Sequence, residues 1–353
     1  EMLRANHAQG VKKIFITDDN FARNKNWEAI FDRIIKLREE DGLKFSFIIQ
    51  VDTLCHRIER FVEKAGRAGV NRVFIGLENI NPDNLIGAKK KQNRITEYRS
   101  MLQAWKAIRA ITYCGYIIGF PNDTPDRVLS DIEIIKRELP VDLIDFFILT
   151  PLPGSEDHKV LAAKGVAMDP DMNNYDTEHV TTAHPLMGTA EWLNLYKQAW
   201  DAFYTADHVH TIMRRAAACG MKPKKIKKLL LSFYGSQVIE GVHPLQGGIF
   251  RLKYRKDRRP GFEVESAVRF YPALAREILW KAARFYSLNR KYEKILKRVE
   301  RGRQTDLQDD IALKPVSNED LVQLRIFKTN QTAQKAAERE YRRAVRCLPQ
   351  PAE

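Results

Sequence analysis

Five short clusters of acids, amides and hydroxyls recur along the first half of the chain, each after an apolar run. They are Asp18-Asp19-Asn20-Phe21, Gln50-Val51-Asp52-Thr53, Glu78-Asn79, Gly119-Phe120-Pro121-Asn122-Asp123 and Thr150-Pro151-Leu152-Pro153-Gly154. Side chains of these types hydrogen-bond polar ligands, and several gathered at one edge of a sheet make a binding site. The same types also cap helices, and Asp123-Thr124-Pro125 has the form of a helix start. For one residue alone both uses fit. Five clusters in phase with five strands favour a site.

The elements that must position them alternate. Short β-rich runs fall at Val11–Thr17, Phe45–Val51, Arg72–Gly76, Thr112–Phe120 and Leu143–Thr150. Between them, apolar residues recur at helical spacing over Asn26–Glu40, Ile58–Ala68, Thr96–Ala110 and Pro125–Leu139. The repeat of about 30–35 residues is that of βαβ units. Phe45–Ile49 and Phe146–Leu149 alternate little in polarity, as in a parallel sheet covered on both faces. The fold class is α/β, and a doubly wound sheet and a barrel both fit. In either, ligands bind outside the C-terminal strand ends, where the five clusters fall.

Composition narrows the function. The chain of 353 residues carries a net charge of +14, of which only +2 falls in residues 1–160. The basic second half suits nucleic acid, anionic lipid or an acidic substrate, or simply solvated helix faces. No apolar run approaches the ~20 residues that span a bilayer, and no export leader is visible. Cys55, Cys114, Cys219 and Cys347 lie far apart without metal-ligand spacing, so a cytoplasmic location is expected. Cys114 reads as core, and Cys55-His56 as structural. His179 and His184 fall in a connector where they would line a substrate opening. Trp192, Leu195, Tyr196, Ala199, Trp200 and Phe203 form an aromatic stripe of core type. Lys222–Ile239 is basic and amphipathic, suiting a membrane surface, a partner groove or packing with a solvated lysine face. Arg251–Arg259 is basic with interleaved apolar residues and could touch phosphates, though no nucleic-acid module accompanies it.

Ile16-Thr17-Asp18-Asp19-Asn20-Phe21 resembles the second barrel strand of radical S-adenosylmethionine (SAM) enzymes. Phe74–Asn79 resembles their fourth strand, Gly115–Pro121 their fifth and Leu149–Gly154 their sixth. The similarity is greatest to the branch associated with a cobalamin-binding domain, which includes methyltransferases and the anaerobic porphyrin ring cyclase. Met168–Asp176 and Thr182–Pro185 also resemble the C-terminal extension of such proteins.

The resemblance implies a partial (β/α)6 TIM-like radical SAM barrel over 1–160, missing its first strand. A connector over the barrel mouth (161–190), a mainly helical region (191–303) and a polar, loosely ordered tail (304–353) would follow. It implies SAM contacts position by position. Asp18, Asp19 and Asn20 stand where the family holds the amino group of SAM. Gln50 and Asp52 lie toward the methionine or substrate side, and Glu78 resembles a ribose or amino contact. Ile117 and Gly119 resemble the adenine contact, with Pro121 beside them, and Thr150 and Pro151 border the adenine. Gly119 would let the chain approach closely. The family's cofactors are SAM and a [4Fe–4S] cluster, held by a CxxxCxxC that this chain lacks. The cluster ligands are therefore expected outside this chain, with no metal ligand within it, and cobalamin is a further expected cofactor. The chain is read as the C-terminal portion of an enzyme, inert alone, whose complete form cleaves SAM reductively for methyl transfer or for ring or lipid modification. Expected partners are a small-molecule or lipid substrate, an external electron donor and a peripheral membrane contact, with nucleic acid not favoured. Two alternatives stand beside this reading: an RNA-modifying, methylthiotransferase-like enzyme, and a clusterless scaffold or membrane-associated module.

Overall fold

Continuous apolar runs become the strands of one parallel sheet. The computed structural model describes residues 1–176, 178–302 and 309–346, so Cys347 lies outside the described residues. After helix α1 (Met2–Ala8) come β1 (Lys13–Phe15), α2 (Trp27–Glu39), β2 (Ser46–Val51), α3 (Phe61–Ala68) and β3 (Val70–Glu78). Helices α4 (Pro82–Gly87) and α5 (Tyr98–Ala107) lead to β4 (Ile111–Ile118), and α6 (Pro125–Glu138) to β5 (Leu143–Ile148). The strands pair in parallel in chain order, β1 to β5 without reversal. An order without a switch point decides against the doubly wound sheet. Successive right-handed crossovers curl the sheet with its helices on one side, a partial (β/α) barrel.

The two sheet faces differ. Phe47, Ile49, Val51, Val73, Ile75 and Leu77 are buried, while Ile48, Gln50, Phe74, Gly76 and Glu78 between them stay partly accessible. The first set carries the core. Phe21 packs on Phe31 with ring centroids 4.9 Å apart, Trp27 on Phe61 at 5.0 Å and Phe61 on Trp105 at 6.2 Å. Between α5 and β5 the core also buries an ion pair. Lys106 bridges Asp142, whose carboxylate also accepts the Thr112 N–H at 2.8 Å and its hydroxyl at 3.1 Å. Caps fix the helix starts: Thr124 accepts the Arg127 N–H at 3.4 Å and Pro125 follows, as the sequence implies. Helix α3 starts later than the expected Ile58, because Cys55–Arg57 forms a 3-10 turn and Arg60 is left-handed.

Past β5 lie α7 (Glu156–Ala163), α8 (Thr189–Phe203), α9 (Ala206–Ala218), α10 (Pro223–Gly235) and α11 (Ala267–Arg301), then α12 (Asp320–Gln323) and α13 (Gln331–Arg346). The chain forms two compact units, 1–203 with 218–220 and 305–353, and 204–217 with 221–304. Helix α8 belongs to the first unit, where Trp200 packs on Phe146 at 5.5 Å. The expected grouping of 191–303 as one region therefore gives way.

The loose tail expected at 304–353 is also corrected over its described part, 309–346. Glu138 accepts the N–H groups of Arg325 and Ile326, both at 2.9 Å. Arg99 binds the Asp320 carboxylate and the carbonyls of Ile311 and Lys314. Ile326, Phe327, Ala333 and Ala337 are buried. Polar composition concealed this sparse but well-spaced apolar set. In the second unit, α10 turns Ile226, Leu230 and Leu231 inward, and Lys227 reaches Asn289 (3.0 Å) and Glu293 (2.5 Å) on α11. The apolar face of Lys222–Ile239 is thus packed rather than free for a membrane.

Removing one partner of a buried ion pair strands the other. Lys106→Met should destabilise the first unit by about 3–5 kcal/mol, read from urea unfolding.

Candidate functional site

The C-terminal ends of β3, β4 and β5 enclose an open-sided cavity of about 220 Å³. Its floor depends on two glycines paired in register, Gly76 of β3 and Gly115 of β4. A Cβ on Gly115 would press within 3.1 Å of the Phe74 ring and 3.2 Å of the Phe147 ring. A Cβ on Gly76 would come within 2.9 Å of the Glu78 carboxylate. Phe74, Ile117, Phe147 and Leu149 supply apolar walls, and Thr150 borders the opening with its hydroxyl donated to the Ile148 carbonyl at 3.0 Å.

Glu78 is aimed by a deformation of the strand. Pairing steps from Gly76–Gly115 to Glu78–Tyr116, leaving Leu77 as an extra residue, and Glu78 takes a left-handed φ of 63°. Such bulges re-aim side chains, and a left-handed glutamate costs about 1–3 kcal/mol that its surroundings must offset. Asn93 and Tyr98 do so. The Asn93 amide donates to the carbonyls of Gly76 (2.7 Å) and Leu77 (3.0 Å). The Tyr98 hydroxyl lies 3.1 Å from the carbonyls of Leu77 and Asn79. The Glu78 carboxylate meets Lys90 Nζ at 3.2 Å. Sequence reading missed Lys90 and Asn93, since nothing in a polar loop marks which residue folds back on a strand, and Tyr98, which reads only as part of a helix.

The other expected residues divide. Asp18, Asn20 and Asp52 do come together, but chiefly to bind one another and the chain. Asp18 accepts the Asn20 N–H (3.0 Å) and the Asn24 amide (2.7 Å). Asp52 accepts from the Asn20 amide (3.1 Å), Arg23 Nε (2.6 Å) and the Leu54 N–H (2.9 Å). Asp19 is exposed, and Gln50 faces the accessible side of the sheet opposite Phe74 in register. Neither lines the cavity, nor do Pro121, exposed on its loop, and Pro151, which is buried.

Gly119, expected to admit a ligand, is filled instead by protein. Its φ is 113°, and a Cβ there would lie 1.8 Å from the Trp192 ring. Trp192 Nε1 donates to the Ile118 carbonyl at 3.1 Å. His184 is likewise committed rather than lining an opening. Its Nε2 donates to the Phe120 carbonyl at 2.8 Å, and its Nδ1 accepts from Leu186 (3.0 Å) and Met187 (3.1 Å). His179 pairs with Asp176, Nδ1 to Oδ1 at 2.8 Å.

A buried acid adjoins the cavity floor. Asp145, paired in register with Gly115, accepts the Tyr113 hydroxyl. Burial pushes its carboxyl up to about 7, against the opposing pull of that hydrogen bond. A second groove of the first unit, about 830 Å³, lies between residues 82–96 and α13. It is lined by basic side chains that include Lys91, Arg94, Lys335 and Arg339.

The donor set suits part of a nucleoside-like ligand: a flat apolar slot, a carboxylate for hydroxyl or ammonium donors and a hydroxyl at the rim. It does not suit an iron–sulfur cluster. Among the described residues no three His, Cys, Asp or Glu side chains gather as a metal site. Cys55 and Cys114 are buried, and burial pushes the Cys55 thiol up to about 12 and the Cys114 thiol higher.

Residues 1–135 match the Radical SAM superfamily. An uncharacterized methyltransferase of Pyrococcus horikoshii is 24% identical over 262 residues, 72% of this chain and 50% of that protein. The bacteriochlorophyllide d C-12(1)-methyltransferase of Chlorobaculum tepidum is 28% identical over 185 residues, 51% of this chain and 38% of the enzyme. The chain thus spans half or less of the length of these curated relatives. Among solved structures, the radical SAM methyltransferase TsrM of Kitasatospora setae, with cobalamin and a [4Fe–4S] cluster bound, aligns with a TM-score of 0.48 at 15% identity. That alignment covers 59% of this chain and 45% of the other.

Asp145 yields a pH prediction. Its folded pKa stands above the ordinary 3.8, so the folded state holds a proton that the unfolded state releases. Its contribution is most favourable below about 4 and is lost as pH rises through about 7. Urea unfolding should show Asp145→Asn gaining stability relative to the parent between these limits, on the order of 4 kcal/mol in all, and level above them.

Proposed function

With residues 1–135 belonging to the radical SAM superfamily, we propose that this protein binds S-adenosylmethionine at the strand-end cavity, in an enzyme that transfers methyl groups by radical chemistry. The observation that carries the reading is the coincidence of that family match with a slot kept open by Gly76 and Gly115. S-adenosylmethionine, when bound, supplies the radical or the methyl group. Phe74, Ile117 and Phe147 would sandwich or wall its purine, where a planar apolar surface gains most from leaving water. Glu78, held by its bulge, would accept from ribose hydroxyls or the amino group, with Lys90 steadying its charge. Thr150 would close the rim.

The [4Fe–4S] cluster belongs to the proposal as a group held by residues other than those described, and electrons for it would come from an external donor. Cobalamin is proposed as a second cofactor, one that would relay the methyl group in such an enzyme. The substrate is proposed to be a small molecule or a lipid met at the membrane periphery.

Equilibrium dialysis of the 353-residue chain against labelled S-adenosylmethionine tests the reading. Saturable binding is expected, weakened about tenfold or more by Gly115→Val, a loss of ~1.4 kcal/mol or more. Glu78→Gln should weaken it by a smaller factor, and thermal melting should show both variants folded. Absence of binding, or affinity indifferent to Gly115→Val, would remove the cavity as the site.

A further inference from the structure

Helix α11 in the second unit carries two apolar faces. One packs inward through Phe270, Tyr292, Leu296 and Val299, each under 10% exposed. The other is open. Val268, Pro272, Ala275, Leu279, Ala282 and Tyr286 follow the i, i+4, i+7, i+11 rhythm of a single helical stripe, and all six are exposed. Val268 is 84% and Leu279 72% exposed. Tyr271 and Ile278 widen the stripe, and both are exposed. From Val268 to Tyr286 it runs about 27 Å at the rise of an α-helix. A soluble surface does not ordinarily display an ordered row of this kind without a partner.

The surrounding charge names the partner. Residues 251–290 hold eleven basic and four acidic side chains, a net +7. Two of the four acids are already neutralised: Lys253 and Lys281 hold Glu277, and Arg258 holds Glu265 at 3.2 Å. Arg269, Arg276, Arg284 and Arg290 are exposed on the same helix. Trp280 is 51% exposed, with the Arg284 guanidinium 5.5 Å from its ring centroid. An apolar stripe bordered by arginines and interface-seeking Tyr and Trp is the composition of a helix lying in the headgroup layer. No helix among the described residues is long and apolar enough to cross a membrane, so the contact is peripheral.

We propose that the α11 stripe seats the protein on an anionic bilayer, with Val268, Leu279 and Tyr286 entering the headgroup–acyl boundary and the flanking arginines meeting lipid phosphates. The contact stands apart from the cavity reading, since it lies in the second unit and needs no S-adenosylmethionine.

The test is flotation of the 353-residue chain with phosphatidylcholine vesicles containing about 30% phosphatidylglycerol, against pure phosphatidylcholine. Binding to the anionic vesicles is expected, falling as salt is raised. The double variant Val268→Glu, Leu279→Glu should cut the partition coefficient about tenfold or more. Both positions are exposed, so its melting temperature should match the parent. Brominated lipid should quench tryptophan emission of the parent, and Trp280→Phe should abolish most of that quenching. No binding to anionic vesicles, or binding unchanged in the double variant, would overturn the proposal. So would a parent dimer that the double variant converts to monomer without lipid, because the stripe would then seat a second copy of the chain.

Discussion

Two neighbouring strands carry glycine at the same level, and the cavity exists because of that coincidence. Gly76 and Gly115 face one another across the β3–β4 ladder, where side chains would otherwise fill the inner face. Glycine in a strand interior costs stability, since it loses entropy and packs nothing. The sheet bears that cost beside the strand ends where parallel folds bind ligands. The rest of the site is arranged around the opening. Phe74 and Phe147 stand where a Cβ on Gly115 would strike them, and Glu78 folds over Gly76 into space no side chain occupies. The bulge at Leu77 turns Glu78 toward that space, and Asn93 and Tyr98 hold the bulged carbonyls that the ladder no longer satisfies.

The strand ends themselves divide by use. At β1 and β2, Asp18, Asn20, Arg23 and Asp52 satisfy one another and tie two loops together. At β3 to β5, the glutamate and threonine keep capacity on the cavity side. Sequence pattern made all five ends visible, because apolar strands running into polar residues stand out from a single chain. It could not separate a knot from a cavity wall. Both use carboxylates and amides, and the difference lies in which partners reach them, some from the same loop and some from 29 or 32 residues away. Gly119 shows the same limit. Its lack of a side chain promised a close approach, but the neighbour that approaches is Trp192, from 73 residues away, in the place a ligand was expected to fill.

The strands were legible as short, nearly continuous apolar runs, and the crossover helices because their apolar residues recur at the 3.6-residue period. Their order in the sheet was not, since doubly wound sheets and barrels share the same alternation and differ only in which strands pair. Helix α13 was hidden for another reason. Its inward face is built from Ala333 and Ala337, small residues that carry little hydropathy yet let a helix approach closely. Composition there reads as polar chain, while shape makes it a packed element.

The basic second half shows why charge must be read with burial. Lys227 and Lys281 are lysines of this region, but each is largely buried and bound to glutamates, so neither presents charge to a partner. The amphipathic segment that first draws notice, α10, spends its apolar face on α11. What remains outward is a face of α11 that a one-dimensional reading folds into the same long helix. A helix with a single apolar stripe is explained by its own packing. A second, exposed stripe calls for another surface to cover it, and the arginines beside it favour one bearing negative charge. The excess of +12 in residues 161–353 therefore says little as a total. It becomes informative once the paired lysines are set aside and the unpaired arginines are seen to border exposed apolar residues.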